Sequence, residues 1–267
     1  MATACTSDPT CGGADRPDRA VPSRATPEAS LAHLAALESL LAAVPKEAPK
    51  EVYRRAIVEN NVLGKKTVST RRASAKRLSE LYALDPGMVL FRLLRFFWNL
   101  DREGRPLLAL LCAAARDPLL RTAAPAVLSV PIGDPVSKKL LQDTLSTGAP
   151  GRFNPAMIQK IARYIASSLT QSGHLEGHLT KRQAHPVATA ATTAYALVLG
   201  YLAGSGGQML FNTHGTRLLD VPAARLKDLA AEASRRGWIK LRQSGAVVEV
   251  RFPLLLTPEE EARRGQD

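Results

Sequence analysis

ATAATTAYALVLGYLAG, residues 188 to 204, runs seventeen positions without a charge, and its reading decides between a membrane span and a globular core. A span needs about 20 strongly apolar residues, whereas this stretch is shorter and rich in Ala and Thr, which drive insertion weakly. A helix buried on all sides of a helical protein accounts for it better.

The segments upstream read as helices too. EASLAHLAALESLLAAV, residues 28 to 44, places Leu31, Leu34, Leu37 and Leu41 on a helical repeat that Pro45 ends. A second helix is expected after Pro49, through EVYRRAIVENNVL, with Val52, Tyr53, Ala56 and Ile57 on one stripe and Gly64 as the left-handed stop. Asp85-Pro86, Asp117-Pro118, Asp134-Pro135 and Asn154-Pro155 each precede a helical apolar pattern. Asp or Asn accepts the free amides of a helix start, and Pro has no amide to lose there. These pairs predict helices after each, the one from Pro118 broken at Pro125, and another helix starts at Pro106. FRLLRFFW, residues 91 to 98, is apolar nearly all round, so Arg92 and Arg95 need carboxylate or carbonyl partners at its edge.

Past the glycine-rich GSGG, residues 204 to 207, the pattern changes. PAARLKDLAAEASRRG predicts a helix ended by Gly237, and WIKLRQ and AVVEVRF alternate around Ser244-Gly245 as a β-hairpin. Ile239, Leu241, Val248, Val250 and Phe252 face inward in that alternation, leaving Lys240, Arg242, Glu249 and Arg251 outward. The expected fold is mainly α, a helical bundle with a C-terminal winged-helix-like unit ending in a β-hairpin. The expected divisions are a disordered tail over 1–27, a helical domain over 28–204, the winged-helix-like unit over 205–256 and a fraying polar tail over 257–267.

Composition narrows the partner. The 267 residues are 45 % hydrophobic, enough for real cores, yet carry a net charge of +12 and a pI near 10.0, which favours a nucleic-acid or acidic-membrane partner over a small neutral substrate. Cys5, Cys11 and Cys112 have no paired spacing, so neither a disulfide framework nor a four-ligand zinc site is supported, and the expected compartment is the cytoplasm. The N-terminal residues lack the apolar run of a secretory signal.

KKTVSTRRASAKR, residues 65 to 77, holds six cations and no acid: Lys65, Lys66, Arg71, Arg72, Lys76 and Arg77. Ser69 or Thr70 is the expected cap of a helix whose buried side is Leu78, Leu81 and Tyr82, with Arg71 leaning outward from the first turn. Helix-start amides beside Arg and Lys suit phosphate. The region from Pro222 to Pro253 adds seven basic residues against three acidic, with Arg235, Arg236, Lys240 and Arg242 the candidate contacts on helix end and wing. Trp238 reads as core rather than a stacking platform.

Catalytic constellations are not apparent. His174, His178 and His185 lie in GHLEGHLTKRQAH, where Gly173 and Gly177 argue for a loop rather than a metal-binding helix face. His33 and His214 read as ordinary histidines, and Cys112 sits in an apolar helix where a thiol is inert. No GxSxG, Walker, HExxH or GxGxxG pattern occurs. A non-enzymatic protein without a cofactor, a metal or a small-molecule substrate is expected.

ENNVLGKKTVSTRRASAKRLSEL, ALLCAAARDPLL, RYIASSLTQSGHLEG and AAEASRRGWIKLRQSGAVVEVRFPLL together resemble the BrxA family of bacterial phage-exclusion (BREX) systems, over about residues 50 to 255. The resemblance implies a helical accessory protein similar in part to the antitermination factor NusB. It also implies double-stranded DNA and other phage-defence proteins as partners, with no catalytic residues; the family has been described as inner-membrane as well, which the length of residues 188 to 204 argues against, so no membrane partner is expected. No motif of fixed role transfers residue by residue, so the ten cations above rest on charge and helix placement alone. The alternatives are an RNA-binding, antitermination-like helical protein, a protein–protein scaffold within a defence complex, and a membrane-surface protein.

Overall fold

Thr189 opens the uncharged helix with a reciprocal capping box: its hydroxyl accepts from the Thr192 amide at 3.1 Å, and the Thr192 hydroxyl accepts from the Thr189 amide at 2.8 Å. Two amides that a helix start leaves without partners are thereby satisfied. The computed structural model describes residues 34 to 245 and 247 to 262. The tail expected over 1–27, and His33, lie outside them.

The described residues are mainly helical. They form α1 (Leu34–Ala43), α2 (Lys50–Val58), α3 (Val68–Tyr82), α4 (Val89–Leu100), α5 (Arg105–Arg116), α6 (Pro118–Leu128), α7 (Lys138–Gly148) and α8 (Pro155–Gln171). A two-residue hairpin follows, β1 (Leu175–Glu176) with β2 (Arg182–Gln183), and then α9 (Ala190–Leu202), the former uncharged stretch. A 3-10 turn at Gly207–Asn212 leads to α10 (His214–Arg217), α11 (Ala223–Arg235), the hairpin β3 (Lys240–Ser244) with β4 (Val247–Arg251), and α12 (Pro258–Ala262).

The centre of the molecule is α9, ten of whose thirteen residues are buried. It packs on α4, α5, α10 and α11, which is why it carries no charge on any face. Among the described residues no helix is long and apolar enough to cross a membrane. Residues Leu107 to Ala114 of α5 are buried without interruption, with α3, α4, α6 and α8 around them. Cys112 lies there, its thiol pushed up to about 12 by burial, which suits the inert role expected of it.

One apolar cluster runs from Leu37 to Leu256. Trp238, just after α11, meets Phe97 of α4 edge-on with ring centroids 5.4 Å apart, and Tyr201 of α9 meets Phe252 at 5.0 Å. A cut near residue 205 therefore separates no two cores: α11 and the hairpin complete the same interior as the upstream helices. Of the polar tail expected over 257–267, residues 257 to 262 are described and residues 263 to 267 lie outside them. Arg92 of α4 donates to the Leu255 carbonyl at 3.0 Å and pairs with Glu260 of α12 at 2.7 Å.

Several helix limits differ from those read in the sequence. α2 stops at Val58, five residues before the expected end, because Asn61 turns left-handed at φ 50° and closes the chain ahead of Gly64. Asp117 and Asn154 cap α6 and α8 as expected. Asp85 instead accepts from the Gly87 amide in a local turn, so α4 starts at Val89, and Ser137 rather than Asp134 caps α7. Pro125 does not break α6: it lies in the last turn on the exposed side, where one lost internal hydrogen bond is tolerated.

Candidate nucleic-acid interface

The cap of α3 is Thr67, not Ser69 or Thr70. Its backbone is extended and its hydroxyl accepts from the Thr70 amide at 3.2 Å, which starts the helix two residues early. Thr67 to Thr70 are all exposed, so the first turn faces solvent.

Arg71 does not lean outward. Its Nε donates to the Lys65 carbonyl and its Nη1 to the Val58 carbonyl, each at 3.3 Å, while the Lys65 amide donates to Asn61 Oδ1 at 2.8 Å. These bonds tie the loop between α2 and α3 to the helix start, so Arg71 holds the presentation surface rather than forming part of it. Lys66, Arg72 and Lys76 are exposed, with Lys76 a loose 3.9 Å from Glu80 one turn on. Lys65 and Arg77 are half-buried. An exposed i, i+4 pair at such a distance contributes about 0.3–0.5 kcal/mol, too little to withhold Lys76 from a phosphate.

The second candidate group lies on α11 and the hairpin. Gly237, at φ 76°, ends α11 as expected and releases the chain into β3. Lys240 pairs in register with Arg251, and Arg242 with Glu249, which puts these four side chains on one outward face; Ile239, Val248, Val250 and Phe252 are buried behind it and Leu241 is half-buried. Arg251 bonds Glu249 at 2.6 Å, whereas Lys240 and Arg242 hold no ion pair among the described residues. Arg236 is less available than the sequence suggested: it pairs with Glu232 at 2.6 Å and lies over the Trp238 ring, 5.1 Å from its centroid. Arg235 is exposed.

Sequence reasoning passed over two features here. Arg225 and Lys227 are exposed at the start of α11, within reach of the same amphipathic reading that found Arg235. Glu261 on α12 borders a hollow of 310 Å³ beside Lys240, Arg242 and Arg251, and no local sequence signal brings residues so placed together. The two cationic groups ride on elements with different neighbours, α3 on α2 and α5, α11 on α9 and β3.

The histidines have other work. His174 is fully buried, its Nε2 donating to the Leu218 carbonyl at 2.8 Å and its Nδ1 2.8 Å from the Ser172 hydroxyl; His185 meets Asp220 at 2.9 Å, and His178 is exposed. No three metal-capable side chains gather among the described residues. The chain matches no protein-family model, and neither the curated proteins nor the solved structures compared with it give a match.

Proposed function

We propose that this chain is a cytoplasmic, non-enzymatic double-stranded DNA-binding accessory protein acting within a bacterial phage-defence assembly. The observation that carries DNA binding is the exposed set Lys66, Arg72, Lys76, Lys240 and Arg242 on a chain of net charge +12: these cations stand on a capped helix start and a paired strand and are not committed to strong ion pairs. The defence setting is supported by the resemblance to the BrxA family. Contacts from such side chains go mostly to phosphate, so binding is weakly sequence-specific.

If all five cations neutralise a phosphate, the log–log salt slope on duplex DNA is about −4.5. The test is the triple replacement Lys66→Ala, Arg72→Ala and Lys76→Ala, which spares the Arg71 tie. Duplex affinity should fall at least about tenfold near 0.1 M salt, and the slope should flatten by about 2.7. Unchanged affinity with intact helicity would overturn the reading. Structured RNA that displaces duplex DNA at matched salt would move the assignment to RNA.

A further inference from the structure

Residues 253 to 262 fold back beside the outward face of the hairpin. Lys240, Arg242, Glu249 and Arg251 border one side of the hollow, Pro258 and Glu261 the other. α12 is placed there by its own chemistry. The Thr257 amide donates to Glu260 Oε2 at 2.9 Å and the Glu260 amide to Thr257 Oγ1 at 3.3 Å, a capping box on a five-residue helix. Glu260 also takes the Arg92 guanidinium at 2.7 Å. One residue on, about 100° around the helix, Glu261 falls on the side of the hollow.

We infer that the hollow seats a phosphodiester strand of duplex DNA, with Lys240, Arg242 and Arg251 as its cations, and that Glu261 is a built-in carboxylate which the incoming phosphate must displace. This rests on the DNA-binding reading above. Charge complementarity supports the occupant: among the described residues lining the hollow three are cations and two, Glu249 and Glu261, are acids, and two of the three cations have no ion pair among the described residues. The make-up of α12 supports displacement. It buries no residue of its own and is held through the Glu260–Arg92 pair and the turn before it, so it belongs to the readily opened end of the structure. A phosphate entering beside Glu261 meets like charge until α12 swings away, which lowers resting affinity and makes α12 a gate on the wing.

The conservative change Glu261→Gln removes the charge and leaves the Arg92 anchor. Duplex DNA affinity near 0.1 M salt should tighten about two- to five-fold, the range of one exposed charge interaction. The gain should vanish in a Lys240→Ala, Arg242→Ala, Arg251→Ala background. Native chain that binds duplex DNA no more weakly than the Gln variant would overturn the gate while leaving DNA binding in place. If neither chain binds duplex DNA and the variant gains only on heparin, DNA is overturned as the occupant, and the reading beneath it falls as well.

Discussion

Two arginines end in opposite roles because of what lies within reach of each guanidinium. Arg95 is buried and donates to the Leu41 and Val44 carbonyls at 2.7 and 2.8 Å, closing the C-terminal end of α1. Arg72, one turn into α3, makes no hydrogen bond or ion pair through its guanidinium among the described residues and stays in solvent. That an arginine in FRLLRFFW needs oxygen partners follows from desolvation alone; which oxygens supply them is a matter of distant chain. Titration shows the same division. His214, at the start of α10, has a buried Nε2 with no hydrogen-bond partner among the described residues, and burial, then Arg121 and Arg217, push it down to about 4. In the unfolded chain a histidine takes up its proton near pH 6.5, so between pH 6.5 and 4 the unfolded state binds more protons and stability falls as the pH drops. The loss from His214 is on the order of 3 kcal/mol by pH 4. Burial lowers His174 as well and adds in the same direction, while Asp117, raised by burial, acts oppositely at the acid end. The urea midpoint should therefore fall between pH 7 and pH 5, and His214→Gln should flatten that fall; an equally steep profile in the variant would remove His214 as the source.

Elements were legible in proportion to how local their causes are. The β3–β4 alternation, the glycine at the end of α11 and the Asp117 and Asn154 caps depend on neighbours within a few residues, and all appear where the sequence placed them. The early end of α2 goes with the left-handed Asn61 and a loop that Arg71 of the next helix ties to the Val58 and Lys65 carbonyls, whereas the Thr67 cap is itself local, a bond from the Thr70 amide three residues on. α9 shows how packing decides an element's tolerance. A Cβ on Gly200 would stand 2.7 Å from Thr213 Cγ2, and Thr213 is the residue whose hydroxyl caps α10. Gly200→Ala gains about 1 kcal/mol of helix propensity but incurs about 1–3 kcal/mol of overpacking and about 1 kcal/mol of disturbed cap. Net destabilisation of about 1–3 kcal/mol is expected in denaturant unfolding. A more stable variant would mean that Thr213 gives way without cost.

At the scale of the whole molecule, the shared interior has a measurable consequence. Trp238 packs on Phe97 across the boundary expected near residue 205, so tryptophan fluorescence and far-ultraviolet circular dichroism should report one coincident unfolding transition. Two separated transitions would restore independent domains. The charge that suggests a polyanion is equally a whole-chain property, and it could be counted before any fold was known. Sequence alone determined the helical class, the core position of the helix within residues 188 to 204, the outward face of the hairpin and the basic balance, because each follows from composition or from a period of two or 3.6 residues. Tertiary structure alone decided that Arg71 serves the backbone, that the C-terminal unit shares the central core, and that Glu261 stands beside Lys240, Arg242 and Arg251. Each of these joins groups whose proximity comes from helix packing and chain return, which no local period encodes.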